Sequence, residues 1–174
     1  NYDLERMISF SESLDRRIKI MIRFTPGIEC HTHEYIRTGS FDSKFGFGLE
    51  NLTYVFEEIN KAKKLDLIGL HAHIGSQIFE LEPHRDLGEI LVNFAIDAQK
   101  YGHHIEELNV GGGLGIKYTN EDDPPSIEDW VRTISESVAR ACNKNNFKLP
   151  LLMCEPGRSI VSTAGVTIYK IGSI

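Results

Sequence analysis

Residues 67–77 read LIGLHAHIGSQ, an apolar run that ends in two histidines, a glycine and a serine. This composition predicts a buried β-strand that passes directly into a polar loop. Three other apolar runs have the same form, at residues 18–24, 105–110 and 149–154. The chain therefore contains four predicted strands, spaced at intervals of roughly forty residues.

The segment before the first strand and the three segments between the strands predict helices, because their apolar residues recur mostly at intervals of three and four. Four such segments are expected, beginning near residues 4, 49, 83 and 126. Pro83 suits a first helical turn, Gly102 suits the end of the same helix, and Ser126 with Asp129 resembles a helix start. Alternating strands and helices predict an α/β fold with a parallel sheet. The pattern alone fits both half of an eight-stranded barrel and a doubly wound open sheet.

Composition excludes several classes of protein. The 174 residues carry a formal net charge of −6, and the cationic residues are scattered, so we expect no nucleic-acid partner. No apolar run approaches the roughly 20 residues of a membrane-spanning helix, and we expect a cytoplasmic protein. Cys30, Cys142 and Cys154 are far apart and form no CxxC motif, so we expect neither a disulfide framework nor a zinc site.

Polar clusters directly follow three of the predicted strands. They are His71 to Ser76, Gly111 to Gly115 and Glu155 to Arg158. The carboxyl ends of parallel strands share one edge of a sheet, and ligands bind there. These clusters therefore predict a single binding site.

The glycine run at 111–115 suits an anion, because residues without Cβ let backbone N–H groups approach a bound oxyanion. A phosphate is the natural ligand. The GGGxG spacing is not GxGxxG, so a nicotinamide dinucleotide is disfavoured. A tight turn that packs a helix close to the sheet is the structural alternative.

The histidine pairs raise the question of a metal site. His71 and His73 alternate along the predicted strand and so face the same side. His31 and His33 have the same spacing in a long polar loop. Two histidines without a well-placed third carboxylate or thiolate make a poor ligand set, so we expect no metal at either pair. A hydrogen-bonded core histidine is the alternative to a pocket residue.

Glu155 and Arg158 end the last predicted strand. They would either form a structural ion pair or bind a ligand, with Glu155 holding a proton on a ligand nitrogen and Arg158 holding a ligand carboxylate. Arg23, at the end of the first strand, could serve the same site.

Six motifs together resemble the diaminopimelate decarboxylase family: IRFTPG, THEYIRTG, SKFGFG, HAHIGSQ, NVGGGLG and CEPGRSI, which begin at residues 22, 32, 43, 71, 109 and 154. The resemblance covers essentially the whole chain. It implies that residues 1–158 are the second half of a pyridoxal-phosphate-binding (β/α)8 TIM-type barrel, similar to the N-terminal domain of alanine racemase. It also implies that residues 159–174 begin a β-rich C-terminal domain.

The resemblance implies specific roles for the residues at the predicted site. The cofactor-binding residues would be Arg23, His73, Ser76, Gly111, Gly112, Gly113, Glu155, Gly157 and Arg158. His73 would stack on the cofactor ring, Ser76 and the glycine backbone would hold the phosphate, and Glu155 would face the pyridine nitrogen. Arg158 would also bind a substrate carboxylate, and Arg23 would support the polar edge of the ring.

The implied reaction is decarboxylation of meso-2,6-diaminopimelate to L-lysine and CO2 by a homodimeric enzyme. The alternatives are a decarboxylase of ornithine, arginine or carboxynorspermidine, or a non-catalytic homologue. The family's Schiff-base lysine would lie upstream of Asn1, and the family does not use Lys44 in its place. We therefore expect the 174 residues alone to be inactive and, as half a barrel, to self-associate through open sheet edges.

Overall fold

The computed structural model describes residues 2–28 and 45–172. The predictions for Cys30, His31, His33 and Lys44 lie outside the described residues.

The described residues alternate between helices and strands. The elements are α1 (Tyr2–Glu12), β1 (Ile18–Arg23), α2 (Leu52–Lys61), β2 (Leu65–His71), α3 (Glu82–Lys100), β3 (Glu107–Asn109), α4 (Ile127–Lys144), β4 (Leu151–Met153) and α5 (Arg158–Val161). Short 3-10 turns occupy Leu49–Asn51 and Ser162–Ala164.

All four strands pair in parallel, in the order β1-β2-β3-β4. Each new strand is therefore added at the same edge of the growing sheet, next to the strand that precedes it in the chain. A doubly wound sheet reverses this direction at a switch point, whereas a barrel does not. The strand order thus favours a segment of a barrel.

The strand register aligns the carboxyl ends of the sheet. Arg23 pairs with His71, His71 pairs with Asn109, and Asn109 pairs with Met153. The loops that follow β2, β3 and β4 therefore leave the sheet at one level, as the positions of the polar clusters predict.

The strand bounds differ from the prediction in one important place. β2 ends at His71, so His73 lies in the following loop, and its assignment to the strand is wrong. Ala72 N–H still donates to Asn109 O, after which the loop brings His73 against the glycine run. β3, Glu107–Asn109, is shorter than predicted at both ends, and shortly after it Gly111 enters the left-handed region, with φ of 66°.

The predicted helix ends are confirmed. Ser126 Oγ accepts the Asp129 N–H at 3.0 Å, which satisfies one free donor at the start of α4. Pro83 lies in the first turn of α3, and Gly102 follows that helix with φ of 88°. Apolar side chains of the sheet and helices form the core, including the fully buried Leu70, Leu87, Leu91, Leu108 and Ile134.

The outer parts of the described sheet leave apolar residues exposed. Leu149 and Leu151, at β4, are each 62% exposed. Residues 165–172 contain no strand, and the β-rich domain predicted to begin at 159 stays a prediction. Of the helices in the described ranges, none combines the length and apolar content that a bilayer crossing requires.

Candidate functional site

The loops after β2 and β3 are joined by hydrogen bonds. Ile78 N–H donates to Gly113 O at 3.0 Å, and Gly115 N–H donates to Ile78 O at 2.9 Å. The Gln77 side chain bonds both backbone groups of Ile116, donating from Nε2 at 2.7 Å and accepting at Oε1 at 3.1 Å. These bonds fix the glycine run relative to the histidine loop.

The glycine run makes contacts that no other residue allows. A Cβ on Gly112 would lie 2.3 Å from Glu155 O, and a Cβ on Gly113 would lie 2.7 Å from Gly75 O. Gly113 also has φ of 109°, which side-chain-bearing residues rarely adopt. The three loops therefore meet through bare backbone.

His73 is held by this backbone. Its Nδ1 accepts the Gly112 N–H at 3.2 Å, which places the proton of the neutral ring on Nε2. Burial lowers the pKa of His73, and the positive charge of Arg23 lowers it further. His73 is therefore neutral at pH 7.

Two side chains face the Glu155 carboxylate from neighbouring strand ends. Asn109 Nδ2 donates to Glu155 Oε1 at 2.8 Å, while Asn109 Oδ1 accepts the Gly111 N–H at 2.9 Å. His71 Nε2 lies 3.7 Å from Glu155 Oε2, too far for a hydrogen bond. Burial lowers the pKa of His71, and the Glu155 charge opposes that shift.

Arg23 places a positive charge beside the same group of residues. Its guanidinium carbon lies 5.1 Å from the centre of the Phe45 ring, within the range of a cation–π contact. Burial lowers the pKa of Arg23, and attraction to Glu155 partly offsets this shift.

Arg158 is oriented by a residue from the loop after β3. Its Nη1 donates to the Tyr118 hydroxyl at 2.8 Å. The Tyr118 and Thr119 N–H groups both donate to Asp122 Oδ2, at 2.9 and 2.6 Å, which fixes the turn that carries Tyr118.

Most of the predicted site residues surround one cavity of about 140 Å³. Six of the nine line it: His73, Ser76, Gly113, Glu155, Gly157 and Arg158. Gly111 and Gly112 contact His73 and Glu155 from the side of the sheet, and Arg23 ends the neighbouring strand β1. The structure thus brings together residues separated by more than 130 positions of the chain.

Three residues of this arrangement are not among those predicted from the sequence. Asn109 connects Glu155 to Gly111, Gln77 joins two loops, and Tyr118 binds Arg158. Asn109 had a usable signal, because it ends a strand immediately before the glycine run. Tyr118 had none, because its partner is 40 residues away.

The donor set suits a phosphorylated ring compound. Backbone without Cβ, a serine and an arginine border the cavity and match a phosphate. A neutral imidazole offers a flat face to a ring, and a carboxylate offers an acceptor for a ring N–H. Within the described ranges, no group of His, Cys, Asp and Glu residues is arranged to hold a metal ion. The fold is thus a segment of a barrel, and its cavity is lined by groups that suit a phosphorylated ring compound.

Comparison with known families identifies this cofactor class. The family described as "Pyridoxal-dependent decarboxylase, pyridoxal binding domain" matches residues 1–162. The chain belongs to this family, whose members are pyridoxal-dependent.

The similar curated proteins are diaminopimelate decarboxylases, the family that the sequence motifs resemble. The chain is 54% identical over 170 residues to the diaminopimelate decarboxylase of Synechocystis, covering 98% of this chain and 36% of the relative. It is 36% identical over 185 residues to the Bacillus subtilis diaminopimelate decarboxylase, covering 99% of this chain and 40% of that relative. The chain therefore spans less than half the length of either relative.

Solved structures confirm the partial barrel. The Helicobacter pylori diaminopimelate decarboxylase complexed with L-lysine superposes with a TM-score of 0.81 at 30% identity, over 92% of this chain and 39% of that one. The enzyme from M. jannaschii, also with L-lysine, gives a TM-score of 0.80 at 28% identity, over 94% and 38% of the two chains.

Proposed function

We propose that these 174 residues are the cofactor-binding part of a diaminopimelate decarboxylase, which converts meso-2,6-diaminopimelate to L-lysine and CO2. The observation that carries this proposal is the convergence of His73, Gly113 and Glu155 on one cavity at the carboxyl edge of a parallel sheet. The identity of 54% to one such enzyme supports the choice of reaction.

Pyridoxal phosphate is the proposed cofactor. Ser76 and the backbone of Gly113 and Gly157 would hold its phosphate, since these groups border the cavity. Gly112 would act indirectly, because its N–H is engaged by His73 Nδ1. When bound, the cofactor supplies an electron sink for the electron pair left when CO2 departs.

His73 and Glu155 would contact different parts of the cofactor ring, its face and its nitrogen. The neutral His73 imidazole would stack on the ring face. The Glu155 carboxylate would accept a hydrogen bond from the pyridine nitrogen and keep that nitrogen protonated, because an adjacent negative charge favours the protonated form.

Arg158 would bind a substrate carboxylate. A guanidinium presents a planar pair of N–H donors that matches a carboxylate, and the Tyr118 hydroxyl holds this side chain at the cavity. Arg23 would contribute positive charge beside the ring.

The proposed full-length protein is a cytoplasmic homodimer. Cys142 and Cys154 are free thiols, which suits a reducing compartment. The exposed apolar residues at β4 suit burial against further protein, either the rest of the barrel or a second subunit.

The test is a substrate panel on the full-length protein that contains this chain. We expect CO2 release from meso-diaminopimelate in the presence of pyridoxal phosphate, with kcat/KM well above that for ornithine, arginine or carboxynorspermidine. Preference for another substrate in the panel would replace the proposed reaction. Cofactor binding without CO2 release from any substrate would favour the non-catalytic homologue.

A further inference from the structure

We propose that Asn109 is a positioning residue that fixes the Glu155 side chain relative to the glycine run. This inference rests on the proposed function, in which Glu155 meets the cofactor ring nitrogen. Asn109 would touch neither cofactor nor substrate and would act through Glu155.

The orientation of the Asn109 amide is determined by the backbone. An amide side chain has one acceptor oxygen and one donor nitrogen. The Gly111 N–H can only donate, so the atom 2.9 Å from it is Oδ1. The donor end, Nδ2, must then point the other way, toward Glu155 Oε1 at 2.8 Å.

Glu155 needs such a partner because its side chain is open to solvent. The side chain is 54% exposed, whereas Asn109 is only 6% exposed. The Glu155 N–H also donates to Gly111 O at 2.7 Å. The backbone and the carboxylate of Glu155 are therefore both tied to residues 109–111, which keeps the acid at a fixed distance from the predicted phosphate position.

The neutrality of the Asn109 amide matters as much as its geometry. Among the described residues, His71, His73 and Arg23 interact electrostatically with Glu155, and Arg158 lines the same cavity. Asn109 adds an uncharged N–H donor to this set, directed at Glu155 Oε1. A carboxylate at position 109 would instead place two acceptors against each other.

Substitution can separate the two bonds that Asn109 makes. Asn109→Asp keeps an oxygen for the Gly111 N–H but removes the donor to Glu155. Glu155→Gln keeps an acceptor for Asn109 but removes the charge. In the double variant, the amide at 155 can donate to the carboxylate at 109, so the pair regains one donor and one acceptor. The negative charge is then at position 109 and not at position 155, where the cofactor nitrogen would need it.

The experiment compares these three variants in the full-length protein, using thermal unfolding of the cofactor-free form and kcat/KM of the loaded form. We expect Asn109→Asp to lower the unfolding midpoint and to lower kcat/KM about 10- to 100-fold, as for loss of a hydrogen bond to a charged group. The double variant should recover most of the midpoint but none of the activity. Asn93→Asp, on the exposed face of α3, is the matched control and should change neither.

Two results would overturn the inference. One is an Asn109→Asp variant that behaves like Asn93→Asp. The other is a double variant whose midpoint falls by the sum of the two single effects, which means that the residues are not coupled. Failure of the proposed function can be distinguished from failure of this inference. Even if the wild-type protein does not bind pyridoxal phosphate, the unfolding midpoints of the cofactor-free variants still show whether Asn109 and Glu155 are coupled.

Discussion

The Tyr118 hydroxyl lies 2.8 Å from Arg158 Nη1 and accepts its hydrogen bond across 40 residues of chain. Both side chains are largely exposed, so packing does not restrict Arg158. The position of Tyr118 is nevertheless fixed, because Asp122 accepts hydrogen bonds from the turn that carries it. Tyr118 thus sets the direction of the side chain that is proposed to bind the substrate carboxylate.

We predict that Tyr118→Phe in the full-length enzyme raises KM for the substrate about 3- to 10-fold and changes kcat less. The reason is that an exposed hydrogen bond contributes little stability, but its loss frees Arg158 to leave the cavity. Steady-state kinetics measure the effect. Tyr54→Phe is the control, since Tyr54 is exposed on α2 away from the cavity. A fall in kcat at constant KM would contradict this role.

We predict that Gly112→Ala prevents formation of the site, because its Cβ would lie 2.3 Å from the backbone oxygen of Glu155. Such a contact forces the loops after β3 and β4 apart. Gly165→Ala is the matched control, because a Cβ at that position meets no atom within 4 Å. Equilibrium dialysis with pyridoxal phosphate, together with thermal unfolding, checks both variants. Normal cofactor affinity in Gly112→Ala would show that the close approach is not required.

A buried histidine should make stability depend on pH. His84 is 0% exposed, and its two ring nitrogens have no hydrogen-bond partner in the parts of the chain that the structure describes. Burial lowers the pKa of His84 to about 4, with a contribution from His73. The unfolded chain takes up this proton near pH 6.5, and the folded chain only near pH 4.

Protonation of His84 in the unfolded chain should therefore leave the free energy of unfolding unchanged above about pH 6.5. It should lower that free energy by about 3 kcal/mol as the pH drops to about 4. His84→Phe should remove most of this dependence, because a phenyl ring fills the same apolar space and cannot titrate. Urea unfolding at a series of pH values measures it. His104→Gln, at an exposed histidine, is the control. An unchanged slope in His84→Phe would contradict the assignment to His84.

The 174 residues alone should self-associate. β1 and β4 are the outer strands of the described sheet, and β4 presents Leu151 to solvent. Unpaired strand edges with apolar residues pair with other chains. Sedimentation velocity at micromolar concentration should show oligomers, and Leu151→Lys should reduce them. A single monomeric species for the unsubstituted chain would contradict this prediction.

Much of the fold could be predicted because local signals agree with it. Four apolar runs became four strands, and Ser126 and Gly102 lie at helix ends as expected. The prediction for His73 was wrong because alternation along a strand cannot show where pairing stops. After β2 ends, His73 lies against Gly111 and Gly112 of another loop, a contact that no local pattern indicates.

The site was predictable in outline and not in its supporting contacts. Clusters after three strands indicated a common edge, because parallel topology alone brings strand ends together. The roles of Asn109, Gln77 and Tyr118 depend on hydrogen bonds between segments 39 to 46 residues apart. No local pattern encodes such pairings, so they emerge only from the assembled fold.

A crystal structure of the full-length protein grown with pyridoxal phosphate tests the central claim most directly. We predict that the phosphate lies beside Ser76 and Gly113, that the ring lies against His73, and that a Glu155 oxygen lies within about 3 Å of the pyridine nitrogen. A cofactor bound elsewhere, or bound here with Glu155 directed away from its ring nitrogen, would contradict it.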